Sequence, residues 1–246
     1  MKGSNINTPG PTNCLSERNI LFEDNHLIII NKLPSQIVQG DKTGDRPLSD
    51  LVKDYIKVKY EKSGEVFLGV VHRLDRPVSG AVIFARTSKS LTRINALIKN
   101  REISKTYWAV VKNRPQNESD TLVHFLRRDE VRNKSFLTGE NTRNSQQASL
   151  TYKLIGSSEN YYLLEIDLHT GRHHQIRAQL AGIGCPIKGD LKYGYPRSNS
   201  DGSIHLHARK LNFIHPVTQN EVSIVASAPN DPVWNFFEQK FSVLIP

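Results

Sequence analysis

A single aspartate lies between two arginines in the segment "GVVHRLDRPVSG", residues 69–80. Asp75 is flanked by Arg73 and Arg76, and His72 stands just before them. Because nearby positive charge favours the ionised form of a carboxylate, we expect Asp75 to be an anion. Such a group can serve as a salt-bridge anchor or as a nucleophile that attacks an electrophilic carbon. The segment alone leaves both roles open.

Two further arginines and a tyrosine are candidates to act with this carboxylate. Arg172 and Arg177 bracket the residues "HHQI" at the start of a predicted helix. A helix N-terminus rich in Arg and His attracts anions, and one arginine could reach inward to pair with Asp75. Tyr107 lies in an apolar predicted strand, where a tyrosine usually packs, but its ring could also stack on a flat base.

Histidines are frequent, yet their spacing does not predict a metal site. His173 and His174 are adjacent and therefore point in different directions. The "HLH" at residues 205–207 puts two rings on one face of a strand without a third ligand. The sequence contains no P-loop, no GxGxxG pattern and no GxSxG nucleophile elbow. We therefore expect no metal and no nucleotide cofactor, and a serine hydrolase is not favoured.

The elements that must position these groups can be read from apolar periodicity. Strands are expected on both sides of the turn Asp24-Asn25, at "GAVIFAR", at "KTYWAVV", at "ASLTYKLIG" and "YYLLEIDLH" around the turn "SSEN", and at "IHLHARKLNFIHP" and "EVSIVAS". Helices are expected at "SDLVKDYIKVKY" with Ser49 as cap, at "TSKSLTRINALIKN", after "HTGRHH" with Gly182 as its stop, and at "DPVWNFFEQKF" with Asp231 as cap. Asp75 then lies on a loop that enters a buried strand, where scaffolds hold reactive groups.

Strands dominate the middle of the chain, and helices are interspersed without strict alternation. This order predicts an α+β fold with a mixed, largely antiparallel sheet and flanking helices rather than a doubly wound fold. We interpret residues 1–17 as a disordered leader and residues 18–246 as one domain. The two cysteines are far apart, and neither a membrane span nor a secretory signal is evident. We expect a cytoplasmic monomer.

Positive charge is concentrated in two segments. The chain has a formal net charge of +9, but residues 1–65 hold nine basic and nine acidic residues, which cancel. Residues 86–114 hold eight basic residues and one acidic, and residues 172–210 hold seven and two. These segments could be solvated faces or a surface for a polyanion such as RNA.

Five ordered segments resemble the RluA-type pseudouridine synthases. "HRLDRPVSG" (72–80) is similar to their HRLDxxTSG signature, "KTYWAVV" (105–111) to their KxYxAxV segment, and "TGRHHQIRAQL" (170–180) to their GRxHQIRxHL motif. "CPIKGDLKYG" (185–194) and "LHARKLNFIHP" (206–216) match later segments in order and type. The likeness covers nearly the whole chain.

The resemblance implies the pseudouridine synthase fold with a catalytic cleft. It also implies isomerisation of uridine to pseudouridine in structured ribosomal or transfer RNA, with no cofactor. Asp75 would be the nucleophile, attacking a flipped-out uridine at C1′ of the ribose or C6 of the base. Arg177 would be its paired arginine. Tyr107 would stack on the base and is a candidate for proton removal.

The resemblance also suggests how RNA would be held. Arg73 would fill the gap left by the flipped nucleotide. We expect RNA contacts from His72, Arg73, Arg76, Lys105, Arg172 and His174, mainly to phosphates.

Some positions depart from the family pattern. Val78 replaces a threonine, and Gln179 stands where histidine is common, so we expect both to tune packing or RNA contacts. "NKLPSQ" (31–36) alters an NKPxG pattern, which leaves open whether Lys32 and Pro34 form a floor of the site. Fewer than 20 residues precede the first predicted strand, so we expect no S4 RNA-binding domain.

Two alternatives remain at this level. A non-catalytic RNA-binding protein or RNA chaperone could keep the same fold, although Asp75, Tyr107 and Arg177 together favour an enzyme. A hydrolase that uses Asp75 and a histidine is disfavoured by the missing elbow and the missing metal spacing.

Overall fold

Eleven strands form one sheet in the part of the chain that the computed structural model describes, residues 15–242. The strands are β1 (Ile20–Glu23), β2 (Leu27–Lys32), β3 (Gly69–Val70), β4 (Ser79–Ala85), β5 (Ser104–Val111), β6 (Ser119–Asp129), β7 (Lys134–Thr138), β8 (Gln146–Ser157), β9 (Tyr162–Leu168), β10 (Leu206–Ile214) and β11 (Glu221–Val225). The first 14 residues of the predicted leader lie outside the described residues, and its predicted end at residue 17 falls in a short 3₁₀ helix, Glu17–Asn19.

The sheet is continuous from β1 to β7 in the order β1-β2-β4-β10-β5-β9-β8-β6-β7. β10 is parallel to β4 and antiparallel to β5, and every other pairing is antiparallel. The predicted α+β architecture with a mixed, largely antiparallel sheet is therefore confirmed. β10 joins the chain's N-terminal strands to its central hairpins, so residues far apart in sequence meet beside it.

In the described part of the chain, four helices cover the two faces of the sheet. They are α1 (Leu48–Lys59), α2 (Ser88–Lys99), α3 (Gln175–Gly182) and α4 (Pro232–Ser242). Because side chains alternate along a strand, Tyr107 and Ala109 of β5 pack with α1 and α3, whereas Trp108 and Val110 pack with α4. The predicted strand face that carries Tyr107 is thus the face to which α3 brings Arg177.

Helix ends differ from the sequence expectations in two places. Ser49 does not cap α1, because the helix begins at Leu48 and the Ser49 N–H donates to the carbonyl of Val38 at 3.1 Å. Gly182 is the last residue of α3 rather than its stop, and the chain leaves through Gly184 at φ +76°. The cap of α4 is as predicted, since Asp231 accepts the N–H groups of Val233 and Trp234.

Gly80 is required where β4 meets β10. Its φ is +116°, a region that L-residues rarely adopt, and a Cβ there would lie 2.7 Å from the Cα of Ala208. This close parallel contact fixes the start of β4, and Gly80 itself lies five residues after Asp75. Gly80 is therefore required for the backbone conformation and for the close approach of β4 to β10.

Two absences concern only the residues described here. Within residues 15–242, no helix is both long and apolar enough to cross a bilayer. In the same range, no three His, Cys, Asp or Glu side chains are arranged to hold a metal ion.

Candidate active site

Asp75 is held by a rigid loop while its carboxylate stays accessible. The loop follows β3 and enters β4, and the Val78 N–H closes a turn by donating to the Asp75 carbonyl at 3.0 Å. Leu74 and Val78 on either side are buried in the core. The Asp75 side chain is 31% exposed. Packing fixes the backbone at this position, and the carboxylate faces a cleft.

The buried Lys32 side chain is hydrogen-bonded to backbone carbonyls of this loop and of the segment that follows β2. Its ammonium donates to the carbonyls of Leu33, Gln36 and Arg76 at 2.9, 2.8 and 3.2 Å. Burial lowers the pKa of Lys32 to about 7, and Asp75 opposes that shift. Lys32 and Pro34 do not line the cleft, so the altered segment "NKLPSQ" acts on the site through the backbone of the loop.

Arg177 joins two carboxylates at the back of the cleft. Its Nη1 donates to Asp75 Oδ2 at 2.9 Å, while Nε and Nη2 donate to Asp190 Oδ2 and Oδ1 at 2.7 and 2.9 Å. Arg177 and Asp190 are both buried. Burial opposes the charge, but the hydrogen bonds to Asp190 and Asp75 raise the pKa of the guanidinium. The fork on Asp190 fixes the guanidinium plane, so that Nη1 is presented to Asp75.

The local fold explains why α3 brings Arg177 to this point. Ile176 and Leu180 of α3 pack into the core with Tyr107. Gln179 is fully buried, and its side-chain amide donates to the carbonyls of Leu122 and Ala148 at 3.1 and 3.3 Å. The Gln179 side chain therefore joins α3 to the sheet, and Val78 is likewise packed in the core.

Tyr107 faces the same cleft from β5. The residue is 7% exposed. Burial first, and the negative charge of Asp75 second, raise the pKa of the phenol. The phenol is therefore protonated near neutral pH. Its ring presents a flat apolar surface beside the carboxylate.

The cleft has a volume of about 1050 Å³ and is basic. Seven of the nine predicted site residues line it: His72, Arg73, Asp75, Lys105, Tyr107, Arg172 and His174. Arg177 lies behind Asp75. A cleft of this size can hold a nucleotide and its flanking phosphates.

Arg76 is the exception, because it turns away from the cleft. Its guanidinium donates to Asp45 and Thr43. The predicted RNA contact of Arg76 would therefore lie outside the cleft and stays a prediction, and the guanidinium that contacts the Asp75 carboxylate is that of Arg177, 102 residues away.

Two histidines expected to meet RNA are engaged inside the protein. His72 accepts the N–H of Ile83 through Nε2 at 3.1 Å, and burial lowers its pKa to about 3. His72 is thus neutral and supports β4 at the edge of the cleft. His174 is 8% exposed, and its Nε2 lies 3.4 Å from Asp75 Oδ2. This ring belongs to the surroundings of the carboxylate.

The histidine pair at 205–207 is also committed to the fold. Both rings contact Trp234, which confirms that they share one face. His205 Nε2 lies 2.9 Å from Asp231, and His207 lies 2.8 Å from Ser79 Oγ and 3.0 Å from the Ala226 carbonyl.

Several cleft and support residues were not singled out from the sequence. Asp190 and Tyr193 lie in the segment "CPIKGDLKYG", whose resemblance was noted without assigning roles within it. Arg128 lines the cleft from β6, and Arg127 and Arg143 extend this basic surface. The sequence signal for Arg127 and Arg128 is the pair of adjacent arginines, in a segment for which the sequence predicts no helix or strand.

Comparisons with known proteins agree on one family. The sequence pattern described as RNA pseudouridylate synthase matches residues 26–182. An uncharacterised RNA pseudouridine synthase of Bacillus subtilis, YhcT, is 33% identical over 217 residues, covering 87% of this chain and 68% of that protein. A tRNA pseudouridine synthase C of Vibrio vulnificus is 30% identical over 245 residues, covering 90% and 94%. A ribosomal large subunit pseudouridine synthase D of Xylella fastidiosa is 33% identical over 227 residues, covering 86% and 66%.

Solved structures show the same architecture. The human RNA Pseudouridylate Synthase Domain Containing 4 superposes with a TM-score of 0.74 at 26% identity, covering 91% of this chain and 93% of that one. The human RNA Pseudouridylate Synthase Domain Containing 1 gives 0.70 at 19% identity, covering 96% and 97%, and so shares the fold.

Proposed function

Because the chain belongs to the RNA pseudouridylate synthase family and is an RNA pseudouridine synthase, we propose that Asp75 is its nucleophile. The supporting observation is that the protein contacts the two oxygens of the Asp75 carboxylate unequally. Arg177 Nη1 and His174 Nε2 both lie on Oδ2, at 2.9 and 3.4 Å. Within residues 15–242, no hydrogen bond reaches Oδ1. One oxygen is anchored, and the other is available to a substrate in the cleft.

The reaction replaces the N1–C1′ glycosidic bond of the nucleoside by a C5–C1′ bond. Asp75 Oδ1 attacks either C1′ of the ribose or C6 of the uracil ring, and the N1–C1′ bond breaks. The base turns so that C5 bonds to C1′, the bond to Asp75 is released, C5 loses its proton and N1 gains one. Atoms and charge balance without a cofactor. Arg177 keeps the carboxylate in place throughout the sequence.

Tyr107 fits the stacking role better than the proton-removal role. Stacking needs only the flat ring at the side of the cleft. Removing the C5 proton would need a phenolate, and the raised pKa of Tyr107 disfavours that form. We therefore assign Tyr107 to positioning the flipped base.

The basic rim would hold the RNA backbone around the flipped nucleotide. Arg73 and Arg172 are exposed, and Lys105 is half-buried in the wall of the cleft. Lysine and arginine at such positions bind phosphates and fix the register of the RNA without reading its sequence. Arg73, a long planar cation next to the nucleophile, is the residue that would occupy the space left by the flipped nucleotide.

The proposed substrate is a stem-loop of ribosomal or transfer RNA. Relatives of both kinds are similar over most of this chain, one named for transfer RNA and another for the large ribosomal subunit. We propose that the enzyme acts as a monomer in the cytoplasm; the support for a monomer is that Arg177 reaches Asp75 from the same chain.

Pseudouridine mapping tests this function. Total RNA from cells with and without the gene is compared, and the missing sites are restored with the wild-type or the Asp75→Ala protein. We expect the wild type alone to restore them, while Asp75→Ala still binds the RNA because the phosphate contacts lie elsewhere. Restoration by Asp75→Ala would refute the nucleophile. Identical maps with and without the gene would favour a non-catalytic RNA-binding protein.

A further inference from the structure

A chain of polar contacts leads from the backbone of β7 to the Asp75 carboxylate: hydrogen bonds join Ser135, Tyr193 and His174, and a longer contact joins His174 to Asp75. The phenol oxygen of Tyr193 lies 2.9 Å from the Ser135 N and 3.1 Å from the Ser135 carbonyl oxygen. The same phenol oxygen lies 3.0 Å from His174 Nδ1, and the opposite ring nitrogen, Nε2, lies 3.4 Å from Asp75 Oδ2. Tyr193 and His174 are both buried. Tyr193 has no assigned role in the reaction, and His174 enters it only through the contact of its Nε2 with Asp75 Oδ2.

The position of the single imidazole hydrogen of His174 decides whether these contacts stabilise the orientation of the Asp75 carboxylate. A neutral imidazole carries a single N–H. If that hydrogen is on Nε2, the ring donates toward Asp75 Oδ2. If it is on Nδ1, a lone pair of Nε2 faces the carboxylate oxygen and repels it. The tautomer of His174 therefore determines whether the contact with Asp75 is attractive.

The ring is neutral and its tyrosine partner is protonated. Burial first, and the nearby charge of Arg177 second, lower the pKa of His174 to about 2. Burial raises the pKa of Tyr193 to about 12, so its phenol keeps a hydrogen to donate. Since the Ser135 N–H donates to the phenol oxygen, that hydrogen has two acceptors, the Ser135 carbonyl and His174 Nδ1. Donation to Nδ1 leaves the imidazole hydrogen on Nε2, facing Asp75.

His174 has a strained backbone conformation. Its backbone is left-handed, with φ 53° and ψ 26°, directly before α3. Such a conformation is strained in a residue other than glycine and persists where the surroundings impose it. The His174 ring stacks on His173 at a centroid distance of 3.8 Å and meets Tyr193 edge-on at 5.6 Å. His173 is held in turn by Ser135 Oγ at 2.9 Å.

We propose that Tyr193 and His174 are positioning residues that fix the Asp75 carboxylate for attack. Tyr193 sets the tautomer of His174, and the His174 Nε2–H joins Arg177 on Oδ2. Two donors on one oxygen prevent the carboxylate from rotating about its Cβ–Cγ bond, so that Oδ1 stays directed into the cleft. This inference rests on the proposed role of Asp75 as nucleophile, and it adds the groups that orient it.

Paired substitutions at His174 test the hydrogen bond from Nε2. His174→Gln places an amide N–H near the position of Nε2, whereas His174→Asn places it near Nδ1. Single-turnover rates and KM are measured with unmodified transcripts of ribosomal and transfer RNA. Loss of one hydrogen bond to a charged group predicts that His174→Asn lowers the rate about 10- to 100-fold with KM little changed. His174→Gln should recover most of that loss, and His26→Gln, outside the cleft, is the control. Equal rates for the Gln and Asn variants would overturn the proposal.

The tautomer can be measured without any substrate. In the wild-type protein labelled with ¹⁵N-histidine, we expect His174 to show the pattern of a neutral ring protonated on Nε2. Tyr193→Phe removes the donor to Nδ1, so the ring should shift toward the Nδ1–H form and the rate should fall about tenfold. Tyr60→Phe removes a phenol far from the cleft and serves as control. A wild-type ring protonated on Nδ1 would overturn the proposal.

The Asp75→Ala variant separates the two levels of the account. If Asp75→Ala is inactive while His174→Asn, His174→Gln and Tyr193→Phe all keep the wild-type rate, the positioning inference fails and the nucleophile stands. If Asp75→Ala keeps the wild-type rate, the proposed function itself fails.

Discussion

Two carboxylates near the two ends of β4 are held in different ways. Asp75 precedes the strand, and Arg86, which follows it, binds Glu23 of β1. Both oxygens of Glu23 are used: Oε1 accepts from Tyr60 and Arg86 at 2.9 and 3.1 Å, and Oε2 accepts from Tyr55 and Lys59 at 3.0 and 2.7 Å. The Glu23 side chain is 9% exposed, and that of Asp75 is 31% exposed.

The difference between the two carboxylates distinguishes a structural ion-pair partner, Glu23, from the proposed nucleophile, Asp75. A carboxylate whose four acceptor positions are occupied stabilises the fold but has no free electron pair to offer a substrate. Asp75 has its partners on one oxygen and a basic cleft in front of the other. Proximity to arginine alone, which both residues share, does not distinguish the two cases.

Among the residues that hold Asp75 in place, the largest expected effect comes from removing Arg177. Arg177→Ala should lower kcat roughly 10²- to 10³-fold, because a preorganised charge partner is lost. It should also destabilise the fold by about 3 kcal/mol, since Asp190 is left buried without its partner. Turnover and thermal unfolding are measured on the same preparation.

Arg177→Lys is the matched control for this variant. Lysine keeps the charge but cannot bind two carboxylates with a planar fork, so kcat should lie between those of the wild type and Arg177→Ala. A wild-type kcat for Arg177→Ala would show that Asp75 needs no guanidinium.

Gly80→Ala tests the rigidity of β4 at its Asp75 end. The added methyl group would meet the backbone of Ala208 at a left-handed φ, so we expect a loss of about 3 kcal/mol and a lower kcat. Gly64 has open space around its Cα, and Gly64→Ala should change neither quantity. Equal unfolding midpoints for the two variants in urea would contradict the close approach of β4 and β10.

Glu23→Gln should weaken the other end of the strand without touching catalysis. Arg86 is 7% exposed and loses an ionic partner, so the free energy of unfolding should fall by about 2 kcal/mol. Glu118→Gln breaks an exposed pair with Arg114 and should cost less than about 1 kcal/mol. A kcat that fell with Glu23→Gln would mean that this cluster is part of the active site.

Acid should remove the contribution of Glu23 to stability. Burial alone would raise its pKa, but hydrogen bonds from Lys59, Tyr60 and Tyr55 lower it overall. A carboxyl whose pKa is lower in the folded state stabilises fully above its unfolded value, about 4.3, and ceases to do so as the pH falls through the folded value. The difference in unfolding free energy between the wild type and Glu23→Gln should therefore shrink on acidification below that range. A constant difference would contradict this assignment.

The sequence predicted the elements with strong apolar patterns and missed the β6–β7 hairpin and the two-residue strand β3. β2, β4 and β5 have buried alternating or continuous apolar runs, which carry their own signal. β6 has only Leu122 and Leu126 buried, four residues apart, a spacing that also fits a helix. Pairing with β8 decides its conformation, and that pairing is tertiary information.

In the candidate site, too, residues in segments with a recognisable pattern could be predicted, and contacts that depend on tertiary packing could not. Asp75, Tyr107 and Arg177 could be named because each lies in a segment with a recognisable pattern, and the structure brings them together. The outward turn of Arg76 could not be read from its neighbours, because its partner Asp45 comes from another loop. The second carboxylate on Arg177, Asp190, and the placement of His174 beside Asp75 likewise depend on how α3 docks.

The most direct measurement compares Asp75→Asn and Glu23→Gln, the same change of carboxylate to amide at the two ends of β4. Single-turnover pseudouridine formation and urea unfolding are recorded for both variants. The account predicts that Asp75→Asn loses turnover on the order of 10⁴-fold and unfolds near the wild-type midpoint, while Glu23→Gln keeps turnover and unfolds earlier. Turnover by Asp75→Asn at the wild-type rate would contradict it.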